Sequence, residues 1–412
     1  MYISQSKLLQ YTLYSNAIYV FLFFLFLPDG LSLQKIIITS FLAFSVVSTL
    51  ILCFLNRKTI DNLPKTQKRI FIFLMVWSTI TIVRSFSFQL QDWLTNFGNV
   101  YMALAWYTPL FIIIGQKIKN WAIVFKSISF MFQLMLVSLF FLPFLKGYGK
   151  LRTEWSWLLR PINFIFIIGV NFFKTPSRVL VFTTFAVYIL IAILAEQRIE
   201  FIYLFLVILL VFTKKIKQIK IKRTLLRYVI GGFSLLVILI FTYGYGSIAN
   251  LVQRFVEFQD SRIFLYNELF EDLNSSEEIF GRGSLGTYYS YYMEHTKWYI
   301  EEIRGGTYYG DSSIRITIEV GYLQMILKGG FILFVLTLFL MLSSSYLAIF
   351  KSKNRFVISL GIYILVISIL SLISFRPAFT PTFIILWMAV GTVLNKKYRN
   401  MSDNEINKLI RL

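Results

Sequence analysis

"DSSIRITIEVGYLQMILKGGFILFVLTLFL", residues 311–340, begins as a polar stretch and turns apolar without a break. The apolar block it opens runs from about 319 to 349, and Glu319 stands where that block starts. About 20 apolar residues suffice to cross a ~30 Å hydrocarbon core as a helix. A soluble fold would need many such all-apolar helices in one chain.

Outward from this stretch the same pattern recurs. The chain has 412 residues, 57% hydrophobic and 15% charged, where soluble domains carry about 25% charged residues. Apolar blocks lie near 11–28, 33–55, 70–88, 99–115, 122–145, 159–173, 179–195, 199–213, 228–245, 319–349, 356–374 and 382–394. They predict an all-α polytopic membrane protein with about 12 transmembrane helices. The N-terminal segment has a weak basic start and no small-residue cleavage site, so its apolar part reads as the first span.

The connections set the orientation. "NRKTIDNLPKTQKR" (56–69), "QKIKN" (116–120), "KKIKQIKIKRTLLR" (214–227), "KSKNR" (351–355) and "NKKYR" (395–399) are all basic. With twelve spans and the N-terminus inside, all five fall on the cytoplasmic side, as the positive-inside rule expects. The net charge of +21 is then accounted for by loops and does not indicate nucleic acid. This gives spans one to nine in 1–245, a large extracytoplasmic segment at 246–318, spans ten to twelve in 319–394 and a basic cytoplasmic tail at 395–412. The single cysteine, Cys53, lies inside an apolar block. It excludes an intrachain disulfide and a cysteine-based metal site.

The segment 246–318 holds 11 of the 20 acidic residues. In its first part Leu251, Phe255 and Phe258, then Ile263, Leu265, Leu269 and Phe270, are spaced as amphipathic helix faces. Its second part is rich in Gly and Tyr and reads as turns and short helices. Loops of this length are usually functional.

No metal-ligand spacing, phosphate loop, dinucleotide fingerprint or Ser/His/Asp arrangement is present. Arginines and carboxylates remain. Arg198, flanked by Glu196 and Glu200, lies at an outer turn and reads either as an interfacial arginine or as a ligand group. Arg84, Arg160 and Arg376 sit near outer ends of spans. Intramembrane ionisable groups are functional candidates by default. Arg262 opens a helical stretch and reads as a surface ion pair or a site residue. Arg282 lies between two glycines in "IFGRGS" (279–284), an ordinary turn or one that brings an arginine fork against phosphate oxygens. Arg315 and Glu319 are four apart and would pair on one face if the helix has already begun. Glu319 itself reads as a carboxylate favoured by a helix N-terminus, or as a partly desolvated general base of raised pKa. The tyrosines around His295 fit sugar stacking or a membrane interface.

The stretch "DSRIFLYNELFEDLNSSEEIFGRGSLGT" (260–287), followed by residues 311–340, resembles the bacterial O-antigen polymerase and ligase superfamily, the Wzy-like proteins. The motif resemblance covers about 254–340, and the expected topology matches over most of the chain. It implies a GT-C-like helical bundle acting as a metal-independent glycosyltransferase without cofactor. Its substrates would be undecaprenyl-diphosphate-linked oligosaccharides in the inner membrane, with a chain-length regulator as a further partner. Arg198 and Arg262 match the family's diphosphate-holding arginines; Arg282, Arg315 and Tyr322 would contact diphosphate or glycan. The ligase branch carries a histidine where this chain has Glu319. That departure favours a repeat-unit polymerase with Glu319 as base. Ligase and lipid-linked oligosaccharide flippase are the alternatives, and a flippase should show a charged central cavity.

Overall fold

The computed structural model describes residues 4–26, 33–85, 87–146, 158–168, 178–194, 199–200, 202–209, 263–303 and 312–410. Helices dominate them. The chain opens with α1 (Gln5–Phe26), α2 (Leu33–Leu55) and α3 (Lys65–Val83). A broken segment follows, made of α4 (Leu90–Gly98), α5 (Ala103–Tyr107) and α6 (Phe111–Gly115). Then come α7 (Asn120–Lys146), α8 (Pro161–Ile168), α9 (Arg178–Leu194) and a helical stretch at 202–209. Three short helices lie between the apolar blocks: α10 (Ile263–Asp272), α11 (Ser275–Phe280) and α12 (Tyr291–Trp298). The chain closes with α13 (Gly321–Lys351), α14 (Arg355–Leu370), α15 (Pro381–Leu394), α16 (Lys396–Asn400) and α17 (Asp403–Ile410). Two-residue strands β1 (Tyr288–Tyr289) and β2 (Ile314–Arg315) pair antiparallel, with Tyr288 opposite Arg315.

Among the described residues four helical stretches are long and apolar enough to cross a bilayer: Ile36–Leu55, Lys65–Val83, Asn120–Leu139 and Gly321–Lys351. The bent pair Leu90–Gly98 and Ala103–Gly115 makes a fifth if taken as one span. Large apolar side chains such as Phe54, Phe73, Val335 and Phe350 face outward on these helices. In water that surface would be a liability; against lipid tails it costs nothing. The fold is that of an all-α membrane protein. The expected ninth span, 228–245, lies outside the described residues, as do Arg198 and Arg262.

Two expected spans are not single straight helices. The block at 99–115 is preceded by α4, and the two meet at a 47° bend between Leu90–Gly98 and Ala103–Gly115. Asn99 is extended (φ −114°, ψ 128°) and Pro109 sits in a 3-10 turn, Thr108–Leu110, where it removes a backbone donor. The block at 319–349 is helical only from Gly321, and Gly330 breaks it with φ 67° and ψ −173°. That conformation is essentially reserved for glycine.

The break explains how the segment before α13 docks. A helix end leaves carbonyls without donors, and inside a bilayer no water supplies them. Here the turn after α11 does. The Arg282 amide donates to Leu327 O (2.8 Å) and the Gly283 amide to Lys328 O (2.9 Å). Trp77 Nε1 on α3 donates to Gly329 O (2.7 Å). α11 is aimed at this spot by a capping box: Asn274 accepts from the Ser276 and Glu277 amides, and Glu277 accepts from the Asn274 amide. Its end, Gly281 (φ 72°), runs so close that a Cβ there would lie 2.4 Å from Lys328 O. A Cβ on Gly330 would lie 2.0 Å from Ile279 O. The buried Lys328 ammonium donates to Gly286 O (2.7 Å), and Arg84 at the end of α3 donates to Phe280 O (2.5 Å) and Gly281 O (2.7 Å). Beside this joint Leu265, Leu269 and Leu273 form a small core with Ile318, Leu323 and Leu327. The apolar face expected over 263–270 thus packs on the first turns of α13.

Gly330→Ala combines the forbidden backbone region with the Ile279 contact. It should lower stability by about 1–3 kcal/mol or more, read as earlier thermal unfolding in detergent and faster proteolysis of the outer segment. Gly98→Ala, where a Cβ meets no atom within 4 Å, should leave both unchanged.

Candidate functional site

Three non-helical stretches meet at the end of the bundle that carries α10 to α12: 99–102 between α4 and α5, 312–320 before α13, and 371–380 between α14 and α15. Val320 bridges Phe375, the Gly321 amide donates to Ser374 O (3.0 Å), and the Phe379 amide donates to Val100 O (2.8 Å). At their junction Phe375 is buried and takes φ 58°, a left-handed conformation that a bulky residue adopts only under constraint. Such strain concentrates at functional sites.

Charged groups surround it. On one side the Arg160 guanidinium lies over the Phe375 ring at 4.3 Å and holds Glu200 through Nε (2.8 Å) and Nη2 (2.5 Å). Glu200 is fully buried and also accepts from the Tyr188 hydroxyl, which accepts from Asn163 Nδ2 (3.0 Å). Arg160 and Glu200 are 40 residues apart; the sequence marks Arg160 as lying near a span end and Glu200 as flanking Arg198. On the other side Arg376 lies over the Tyr101 ring at 3.6 Å and donates to Thr317 Oγ1 (3.0 Å).

Glu319 sits at the mouth. Its side chain is 42% exposed, whereas that of its partner Arg315 is 6% exposed. Arg315 donates to Glu319 Oε1 (2.6 Å) and to the Tyr288 hydroxyl (3.3 Å). The expected pair therefore forms, but through β2 and the turn before the helix, since α13 begins at Gly321. The raised pKa expected for Glu319 is corrected. Burial does push it upward, yet the Arg315 charge and hydrogen bond, a backbone hydrogen bond and the Arg376 charge together outweigh burial and hold it below the ordinary carboxylate value. Glu319 is ionised at neutral pH.

Two other expected contacts have different tasks. Arg282 is engaged with Asp272, Glu277 (2.9 Å), Asp272 O (2.6 Å) and Thr287 O (2.8 Å), so an incoming phosphate would have to displace two carboxylates. The glycines beside it serve the α13 break. Tyr322 is buried, and its hydroxyl donates to Ser368 O (2.5 Å), tying α13 to α14. His295 is exposed on α12, its ring 5.6 Å from that of Trp298. Arg376 and Arg160 are the additions: position near a span end marked them, but nothing in the sequence marked their convergence on Phe375. Among the described residues no three of His, Cys, Asp and Glu come together as a metal site. The chain matches no family model, no curated protein and no solved structure.

Replacing Arg315 by Met removes the charge that opposes burial. The Glu319 carboxyl should then titrate at higher pH, followed by its 13C resonance and assigned by its loss in Glu319→Gln. In the native protein the folded-state value is the lower one. The pair's contribution is therefore present above the ordinary carboxylate pKa and is lost as pH falls through the depressed one. For the buried pair, Arg160→Met or Glu200→Leu alone should cost about 3–5 kcal/mol by stranding a charge. The double replacement should cost less than either single one, measured by unfolding in mixed micelles.

Proposed function

We propose that the chain is a bacterial polysaccharide repeat-unit polymerase, a metal-independent glycosyltransferase of the cytoplasmic membrane. It would transfer a growing glycan from undecaprenyl diphosphate to a hydroxyl of a lipid-linked repeat unit at the outer face. Twelve spans with both ends inside would place 246–318 and the mouth around Phe375 on that face.

The observation that carries this reading is Glu319, a half-exposed ionised carboxylate beside the buried Arg315 and the half-buried Arg376 at the mouth of the bundle. The acceptor hydroxyl oxygen bonds to the anomeric carbon and passes its proton to Glu319. The bond from that carbon to the diphosphate oxygen breaks, and its electron pair leaves on the diphosphate. Arginine charge near that oxygen stabilises the developing anion without a metal. Arg376 is one such cation beside Glu319; Arg198 and Arg262 would add to it from the segments on either side. A diphosphate drawn toward Arg315 would compete with Glu319 for that guanidinium. The carboxylate's pKa would then rise toward the range where a general base works well. The polymerase is preferred to the ligase because the ligase branch places a histidine where Glu319 stands.

In cells depending on this chain for polymer, Glu319→Gln and Arg376→Ala should each remove the long-chain ladder. Single repeat units should accumulate on carrier lipid while the variant protein reaches the membrane at normal level. A normal ladder from Glu319→Gln would overturn the assignment.

A further inference from the structure

The opposite, basic end of the bundle holds a second arginine of unusual standing. Arg399, on α16, is 8% exposed. Its Nε is sealed from solvent and has no hydrogen-bond partner. Among the described residues its side chain has no carboxylate, carbonyl or ring partner either. Its terminal Nη atoms are not among the sealed groups, so the fork ends at the surface while its stem is enclosed.

The backbone fixes this arrangement. Asn354, itself buried, donates through Nδ2 to Tyr398 O (2.7 Å) and Met401 O (3.0 Å), clasping the turn on both sides of Arg399. The Lys353 amide donates to Arg399 O (2.8 Å). The nearest acids in the chain are committed elsewhere. Asp403 accepts from the Arg355 amide (2.6 Å) and pairs with its guanidinium (3.5 Å). Glu405 accepts from the Ser402 amide (2.7 Å) and hydroxyl (2.8 Å). The neighbours that remain, Lys351, Lys353, Lys396 and Lys397, are exposed cations. Burial lowers the Arg399 pKa, with no acidic neighbour to oppose it.

A buried charge is normally paired, and Arg160 at the other end shows this chain obeying that rule. We propose that Arg399 is the floor of a phosphate-binding site on the basic end of the bundle. The guanidinium fork, its stem enclosed and its tip at the surface, takes two phosphate oxygens, and the exposed lysines around it complete the charge. A planar fork fits phosphate bidentately in a way that an ammonium does not. The phosphate can come from a phospholipid headgroup of the adjoining leaflet or from solution, and both present the same oxygens.

The full-length protein in neutral detergent can be titrated with phosphatidylglycerol in mixed micelles and, separately, with inorganic phosphate against chloride at equal ionic strength. The readout is the thermal unfolding midpoint. A rise with both probes indicates an open phosphate site; a rise with phosphatidylglycerol alone indicates a headgroup site. In either case Arg399→Gln should abolish the response, and Arg399→Lys, which keeps charge but loses the fork, should weaken affinity about tenfold or more. Lys58→Gln, an exposed cation of another loop, should leave it intact. No rise with either probe overturns the proposal. So does a full response in Arg399→Lys, or in Arg399→Gln where it folds, or an equal loss in Lys58→Gln.

Discussion

The turn from Phe280 to Gly283, docked into the break of α13, is the contact on which the packing of α10 to α12 against the bundle depends. A helix interrupted inside a bilayer exposes carbonyls where water cannot reach them. The amides of Arg282 and Gly283 meet two of these carbonyls, and the Trp77 indole meets a third. The donors come from a segment outside the apolar blocks and from α3. The segment before α13 is therefore part of the bundle's hydrogen-bond system, not an appendage to it. Gly281 and Gly330 are required because both backbones pass within a Cβ's radius of the other chain segment.

The same economy of partners shapes the mouth. Around the strained Phe375, each charged group is placed by what it binds: Arg160 by Glu200, Arg315 by Glu319 and Tyr288, Arg376 by Tyr101 and Thr317. At Glu319 two effects oppose each other. Burial favours the neutral acid, but an arginine at hydrogen-bond distance and a second one nearby favour the anion, and they win. Arg399 has the converse environment, enclosed but with no anion supplied by the described protein. The two ends of the bundle thus treat buried arginine in opposite ways.

Much of the architecture was legible from apolar block length, because one physical constraint, the thickness of the hydrocarbon core, acts directly on consecutive residues. Helices α1, α2, α7, α14 and α15 lie on blocks read from sequence. The breaks were less legible. Gly329-Gly330 could have been a bend or a close packing point, and the choice depended on whether a donor segment was at hand. Arg282 shows the limit most clearly. Its setting between two glycines allowed an ordinary turn or a ligand turn; the glycines serve a helix end and the guanidinium serves Asp272 and Glu277.

By itself the sequence determined the membrane class and the placement of most helices, because each rests on residues near one another along the chain. Only the tertiary structure decided that Arg160 meets Glu200 across 40 residues and that Arg376 shares Phe375's junction with them. Those outcomes depend on distances between segments far apart in sequence. In a medium of low dielectric, such distances govern which charges are paired and which are left open.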